Sequence, residues 1–339
     1  MQEFISKFGF CSALVCLFAA YPGVHAQSSA PLPTPPPRPR ADVRVPTPPM
    51  PIREFSERSV AVDSRVNVNV GCVSRTRVAI NGWDRNEVRV FVRNGSSPAL
   101  RVREKDPRSG LPIWLVIARE GTDEGSMSPT DCISGDRIEI EAPYGASVSI
   151  NGRQTEVRID SVRKAVVRNL GGKVSLRNVE GGITAETFEG DIVVENSVGQ
   201  INLKTSSGNI IVFDVKQGDI GEFMKVNSSS GSITLQKVEH RQIEAGTVSG
   251  SLLFDGKFLN GGIYNFKTSN GSMRLAVPAA TSCSILASYG FGSFESEIEL
   301  KTIMENVSPG GKSLHALMGK GEATLRLTTT SGKIVFSKQ

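Results

Sequence analysis

Between Gly172 and Val215, glycine recurs at 172, 181, 190, 199 and 208, a spacing of nine held four times. Two and four positions after each glycine stands an apolar or small residue: Val174/Leu176, Ile183/Ala185, Ile192/Val194, Ile201/Leu203 and Ile210/Val212. The residue between them is usually polar, as at Ser175, Thr184 and Asn202. Alternation with period two is the pattern of a half-buried strand, here followed by a glycine turn. One such strand cannot bury its apolar side alone, whereas many stacked on one another can. The spacing therefore predicts an all-β solenoid of short strands. It leaves open whether two or three units make one coil. Ile192 and Ile201 are expected to face inward.

The same pattern reaches unevenly along the chain. From about residue 55 to 150 it continues as short alternating runs such as VAVDSRVNVNV, NEVRVFVRN and DRIEIEAPYG. The strict register begins near Arg163 and loosens after Gly208, with Glu239-His240-Arg241 standing where a turn glycine would be. Residues 279–322 depart from it, and GEATLRLTTTSGKIVFSKQ restores it at the end. The expected organisation is a leader over 1–26, a proline-rich linker over 27–52, and a solenoid over 53–339. Within the solenoid, 53–162 form irregular first coils, 163–278 the regular repeats, and 279–339 an atypical cap with a closing coil.

The N-terminus reads as a signal peptide: Lys7, an apolar run over residues 8–20, and Val24-His25-Ala26 before the cleavage point. Neither Cys11 nor Cys16 follows a lipoprotein pattern, and no later segment is apolar for long enough to cross a bilayer. The mature chain is expected in the periplasm or at the surface of a bacterium. Ten prolines between 27 and 52 exclude helix and sheet there. An extended stalk and an unstructured tail both fit that composition.

Export places the cysteines in an oxidising compartment. Cys72 and Cys132 flank one irregular segment and are the preferred disulfide pair, while Cys283 lies in the apolar run SCSILAS. The net charge is +5. Arginine is frequent in the first coils, and on an alternating strand such as 87–93 it takes the face opposite the valines. Arg89, Arg93 and Arg103 are the candidate face for an anionic partner, an envelope glycan or a surface protein. A solvated outer face that discourages strand pairing explains the same arginines. Nucleic acid is not expected, since the interleaved aromatics of a single-strand platform are missing.

The regions VAINGWDRNEVRVFV, ETFEGDIVVENSVGQINLKTSSGNI, GTVSGSLLF, FKTSNGSMRLAVP and GKGEATLRLTTTSGKIVF together resemble an adhesin-like family of exported bacterial proteins of unassigned role, built from short β-strand repeats. The resemblance runs from about Val60 to the C-terminus. It implies a single right-handed β-solenoid at the cell envelope and raises binding above catalysis as the expected role.

No cofactor or metal is expected. His240 and His315 lie in no metal-ligand spacing, and no nucleophile elbow, phosphate loop or dinucleotide fingerprint occurs in a strand–helix context. The enzymatic alternative is a β-helix polysaccharide lyase or glycosidase. It would draw on Glu186, Glu189, Asp191, Glu195, Asp214 and Asp219, with Glu186 and Glu195 aligned on one outer face a repeat apart. A further alternative is a structural polymer joined end to end, as in bactofilin-like filaments.

Overall fold

The computed structural model describes residues 55–122, 128–219 and 221–339. The expected leader and proline-rich linker lie outside the described residues. Every regular element among those residues is a strand. The first are β1 (Phe55–Ala61), β2 (Asn67–Ser74), β3 (Arg77–Trp83), β4 (Glu87–Arg93), β5 (Pro98–Lys105), β6 (Pro112–Arg119) and β7 (Arg137–Pro143). The regular stack holds β8 (Ser147–Arg153), β9 (Glu156–Val162), β10 (Lys164–Gly171), β11 (Val174–Val179), β12 (Ile183–Glu189), β13 (Ile192–Val198) and β14 (Ile201–Ser207). It continues through β15 (Ile210–Lys216), β16 (Phe223–Ser230), β17 (Ile233–Glu239), β18 (Gln242–Ser249), β19 (Leu252–Asp255), β20 (Ile263–Asn270) and β21 (Met273–Val277). Last come β22 (Cys283–Ser288), β23 (Ser293–Ser296), β24 (Lys301–Ser308), β25 (Gly311–Met318), β26 (Ala323–Ser331) and β27 (Lys333–Lys338).

From β8 to β21 the strands alternate between two sheets, sheet A of 13 strands and sheet B of 14. Each strand pairs in parallel with the second one after it: Ile183 lies opposite Ile201 and Val174 opposite Ile192. Two nine-residue units therefore make one coil, which is the point the period left open. The solenoid is flat, two facing sheets with one interior. Ile192, Val194, Ile201, Leu203, Ile210 and Val212 are fully buried in it. At roughly 1.5–3 kcal/mol per buried side chain, these inward rows supply most of the driving force for stacking.

The turn from sheet B to sheet A is a spine of glycines in van der Waals contact. A Cβ on Gly190 would stand 2.3 Å from the Gly172 carbonyl oxygen, and one on Gly208 would stand 2.2 Å from that of Gly190. The same approach repeats through Gly231, Gly250, Gly271, Gly332 and Gly292. Three positions before four of these glycines a buried hydroxyl satisfies the spine: Thr205, Ser228, Thr247 and Thr268 donate to the carbonyls of Gly190, Gly208, Gly231 and Gly250 at 2.9–3.2 Å. Thr205-Ser206-Ser207-Gly208 and Thr247-Val248-Ser249-Gly250 thus share one logic: a hydroxyl for the carbonyl below, and no side chain where two coils touch. The opposite turn, from sheet A to sheet B, absorbs the insertions that break the nine-residue register. There His240 takes the place of glycine, fully buried, with Nε2 donating to the Gly199 carbonyl at 2.8 Å.

Sheet A strands bend at one recurrent position, where Asn178, Asn196, Asp214 and Lys237 adopt φ of 53°, 48°, 51° and 51°. Asn and Asp reach the left-handed region at lower cost than other non-glycine residues.

Both ends of the stack depart from chain order. The coil of β2 and β3 lies between β6/β7 and β8/β9, and the C-terminal coil of β26 and β27 lies between β20/β21 and β22/β23. The coil of β2 and β3 and the C-terminal coil are thus each held between two neighbours rather than left at a free edge. Antiparallel strands close the ends: β1, β4 and β5 at one, β24 and β25 at the other. A disulfide joins Cys72 on β2 to Cys132, whose Cα atoms are 4.5 Å apart. Cys283 is buried and unpaired, and burial pushes its thiol up to about 12.

Candidate functional site

Because the interior is filled, whatever the molecule binds must meet an outer face. On sheet A the inverted order β1-β4-β7-β3-β9-β11 brings strands far apart in sequence into three outward rows of side chains. Along one row Arg89 lies opposite Glu141, then come Asn81, Asp160, Arg177 and Glu195. Opposite charges meet there. Arg89 donates to Glu141 from Nε at 2.7 Å and from a terminal nitrogen at 2.5 Å, with Glu57 at 3.7 Å. Those bonds raise the Arg89 pKa above the ordinary guanidinium value. Asp160 accepts from Arg177, Asn178 and Ser161. Burial alone would raise its pKa, and the three donors outweigh it and hold the carboxyl below the usual range.

The parallel row at the other end of the same strands is different. Arg93 lies opposite Arg137, Arg137 opposite Arg77, and Arg77 opposite Glu156. Three arginines stand side by side on neighbouring strands, where like charges destabilise a sheet. At about 5 Å, two such charges repel by roughly 1 kcal/mol in bulk water and about 3 kcal/mol at a partly screened surface. Arg137 has Glu139 at 2.6 Å. Arg77 makes no ion pair among the described residues. Arg93 lies over the Phe55 ring at 5.6 Å, and its Nε is buried without a hydrogen-bond partner.

Arg75 and Arg158 join this row around an open groove of about 910 Å³. Ala79, the smallest residue of the middle row, sits among them, and Asp136 and Glu156 are the acids in its lining. Five arginines and two carboxylates line it, with Glu139 paired to Arg137 and Asp160 at 3.9 Å from Arg158 just outside the lining. The arrangement can receive a ligand with several negative groups, through forked hydrogen bonds to carboxylate, sulfate or phosphate oxygens.

Of the residues singled out from sequence, Arg89 and Arg93 share β4, but Arg89 belongs to the neutralised row. Arg103 lies on β5, at the edge of sheet B, so the structure does not gather the three on one face. Arg75, Arg77, Arg137 and Arg158 were not marked as site residues. Period-two alternation shows that Arg77, Arg137 and Arg158 point outward, while Arg75 stands in the turn before β3; their meeting depends on β3 being held between β7 and β9.

Glu186 and Glu195 of the enzymatic alternative are placed apart. Glu186 is on β12 in sheet B and Glu195 on β13 in sheet A, which corrects the expectation that they align: one repeat is half a coil, so the step crosses the solenoid. Glu186 pairs with Lys204 at 3.2 Å, and Asp191 accepts from the Asn209 amide at 2.7 Å. Among the described residues no group of three or more His, Cys, Asp or Glu could hold a metal.

The architecture defines a two-sheet β-solenoid with capped ends. Residues 197–336 match the family model Toastrack DUF4097. Solved structures similar to it include a candidate adhesin from Parabacteroides merdae, at 9% identity and TM-score 0.44, covering 84% of this chain and 96% of that one. A candidate adhesin from Bacteroides fragilis has 13% identity and TM-score 0.30, covering 84% and 97%. A candidate cell adhesion protein from Clostridium sporogenes has 12% identity and TM-score 0.25, covering 84% and 100%. No curated protein matches the chain.

Proposed function

We propose that this protein is a non-catalytic, exported scaffold of the bacterial envelope that binds an anionic polymer across the outer face of its first coils. The row Arg93–Arg137–Arg77 carries the reading: arginine faces arginine across two successive ladders, with Glu139 beside Arg137 and Glu156 opposite Arg77. The row at the other end of the same strands pairs Arg89 with Glu141 and Arg177 with Asp160 across its ladders, whereas here arginine is set against arginine. A polymer bearing carboxylate, sulfate or phosphate groups would supply the missing charge. Its repeated anions suit a row of donors spaced by about 4.8 Å from strand to strand. The packed interior and the separated carboxylates support binding over catalysis.

The test is titration calorimetry with lipopolysaccharide, heparin and polygalacturonate at low salt. Arg77→Gln combined with Arg137→Gln is expected to weaken binding by about tenfold or more, the loss of one or two charge-assisted contacts. Affinity should also fall as salt rises. Arg89→Gln, whose partners lie within the sheet, is expected to leave binding nearly unchanged. Absence of binding to all three polyanions, or equal loss from Arg89→Gln, would refute the proposal.

A further inference from the structure

Sheet B carries a second place where the repeat is broken, and it is broken three times in one spot. Just before each turn of the glycine spine, one outward position runs Leu170, Phe188, Ser206, Ser229, Val248, Ser269 along the coils, flanked by the paired positions on either side. Serine is its recurrent residue. Val248 is apolar on one later coil, and on two consecutive coils the position carries a larger apolar side chain, Leu170 at 54% exposed and Phe188 at 59%. Exposed apolar side chains on adjacent coils form a patch and not isolated surface residues.

The second departure lies beneath them. The inward hydroxyl ladder of Thr187, Thr205, Ser228, Thr247 and Thr268 has Asn169 in its place at this coil. Asn169 is 4% exposed. Its Nδ2 donates to the Thr155 carbonyl at 2.7 Å, and its Oδ1 is buried with no partner. The third departure is Gly152, opposite Asn169 on β8. A Cβ there would stand 2.5 Å from Asn169 Oδ1, so the missing side chain is what leaves room beside that oxygen.

These residues line one groove of about 360 Å³, with Arg168, Glu186 and Ser206 on its rim. Arg168 and Glu186 are neighbours on adjacent strands, so donor and acceptor alternate along the apolar floor. An apolar floor with hydrogen-bonding groups at its edge matches a ring that is apolar on one face and carries hydroxyls around its rim. We propose that this groove is a subsite for an uncharged pyranose ring of a glycan, stacked on Phe188 and Leu170, with hydroxyls toward Arg168, Glu186 and Ser206. It lies on the other sheet from the arginine row and does not depend on it.

Cellohexaose, chitohexaose and laminarihexaose are the probes, with decanoate as the acyl-chain rival, read by saturation-transfer NMR and calorimetry on the mature chain. At least one hexasaccharide is expected to bind, with ring-proton saturation and little dependence on salt. The double variant Leu170→Ser, Phe188→Ser installs the residue that the row uses elsewhere, so the coil should stay folded, as circular dichroism would show. It is expected to lose about tenfold or more in affinity, the effect of removing an aromatic contact surface. The Arg77→Gln, Arg137→Gln variant should bind the same sugar as wild type, which separates failure here from failure of the arginine groove. Failure of all three sugars to bind, sugar binding retained in the double serine variant, or binding of decanoate alone would overturn the proposal.

Discussion

Replacing Gly250 with alanine tests the glycine spine most sharply, because a second glycine supplies the control. A Cβ on Gly250 would stand 2.1 Å from the Gly231 carbonyl oxygen and 2.6 Å from its carbon. Ordinary contact begins near 3.4 Å, so the two coils must part by about 1 Å at this edge. The bonds that hold them there are Gly231 N–H to the Ser249 carbonyl at 3.0 Å, Ile233 N–H to the Ser251 carbonyl at 2.9 Å, and the Thr247 hydroxyl to the Gly231 carbonyl at 2.9 Å. An opening of that size breaks or severely weakens two of them, each worth about 1 kcal/mol net. With about 1–3 kcal/mol for overpacking, the expected loss is about 3–5 kcal/mol.

Gly261 is the control. Its φ is +71°, nothing lies within 4 Å of its Cβ position, and its N–H bond to the Glu322 carbonyl is compatible with alanine. Only the left-handed backbone opposes the change there, at about 1–2 kcal/mol, and part of that is offset by the stiffer unfolded chain. Urea unfolding followed by circular dichroism gives both differences. Amide exchange at Gly231 and Ile233 reports whether the damage is where the contact is. Equal losses at the two glycines, or an unchanged exchange rate at Gly231 in Gly250→Ala, would show that close approach is not what the spine requires.

Two further outcomes follow from the ends and the turns. Truncation after Lys320 removes β26 and β27 from the inside of the stack and with them the buried Leu325, Leu327, Ile334 and Phe336. At roughly 1.5–3 kcal/mol each, the loss rivals the whole stability of an ordinary domain. The truncated chain is expected to bind a hydrophobic dye and to recover its native spectrum when residues 321–339 are added as a peptide; a melt identical to that of the full chain would refute the inserted position. His240 is held neutral by burial, which lowers its pKa from the usual value of 6.5. The unfolded chain then takes up the proton first, so stability is complete above pH 6.5 and declines as pH falls below it. Asp160, whose pKa is lowered from 3.8, loses its contribution only in more acidic solution, so the window between pH 6.5 and 5 isolates the histidine. Urea midpoints should fall across that window in the wild type and stay flat in His240→Gln; parallel slopes in the two proteins would remove the assignment.

Much of the solenoid could be read from residues alone because its rules are local. Alternation placed Ile192, Val194, Ile201 and Leu203 inward, and each is fully buried. The glycine register marked the turns, and the interval filled by Glu239-His240-Arg241 is a turn between β17 and β18. The candidate site was legible only in part. Arg93 could be marked from its strand, whereas Arg77 and Arg137 are 60 residues apart in sequence and face each other across one ladder.

The sequence by itself determined that this chain is a stack of short strands, which residues point inward, and where no side chain can stand. The tertiary structure decided that two units close a coil, that the first and last coils are held between later and earlier ones, and which charges become neighbours. The reason is that a period of two or nine specifies the face a residue occupies, while its partner on that face is set by the register of a strand far away in the chain. Arg89 and Arg93 look alike on β4. Glu141 meets the first and Arg137 the second, and that difference exists only in the folded stack.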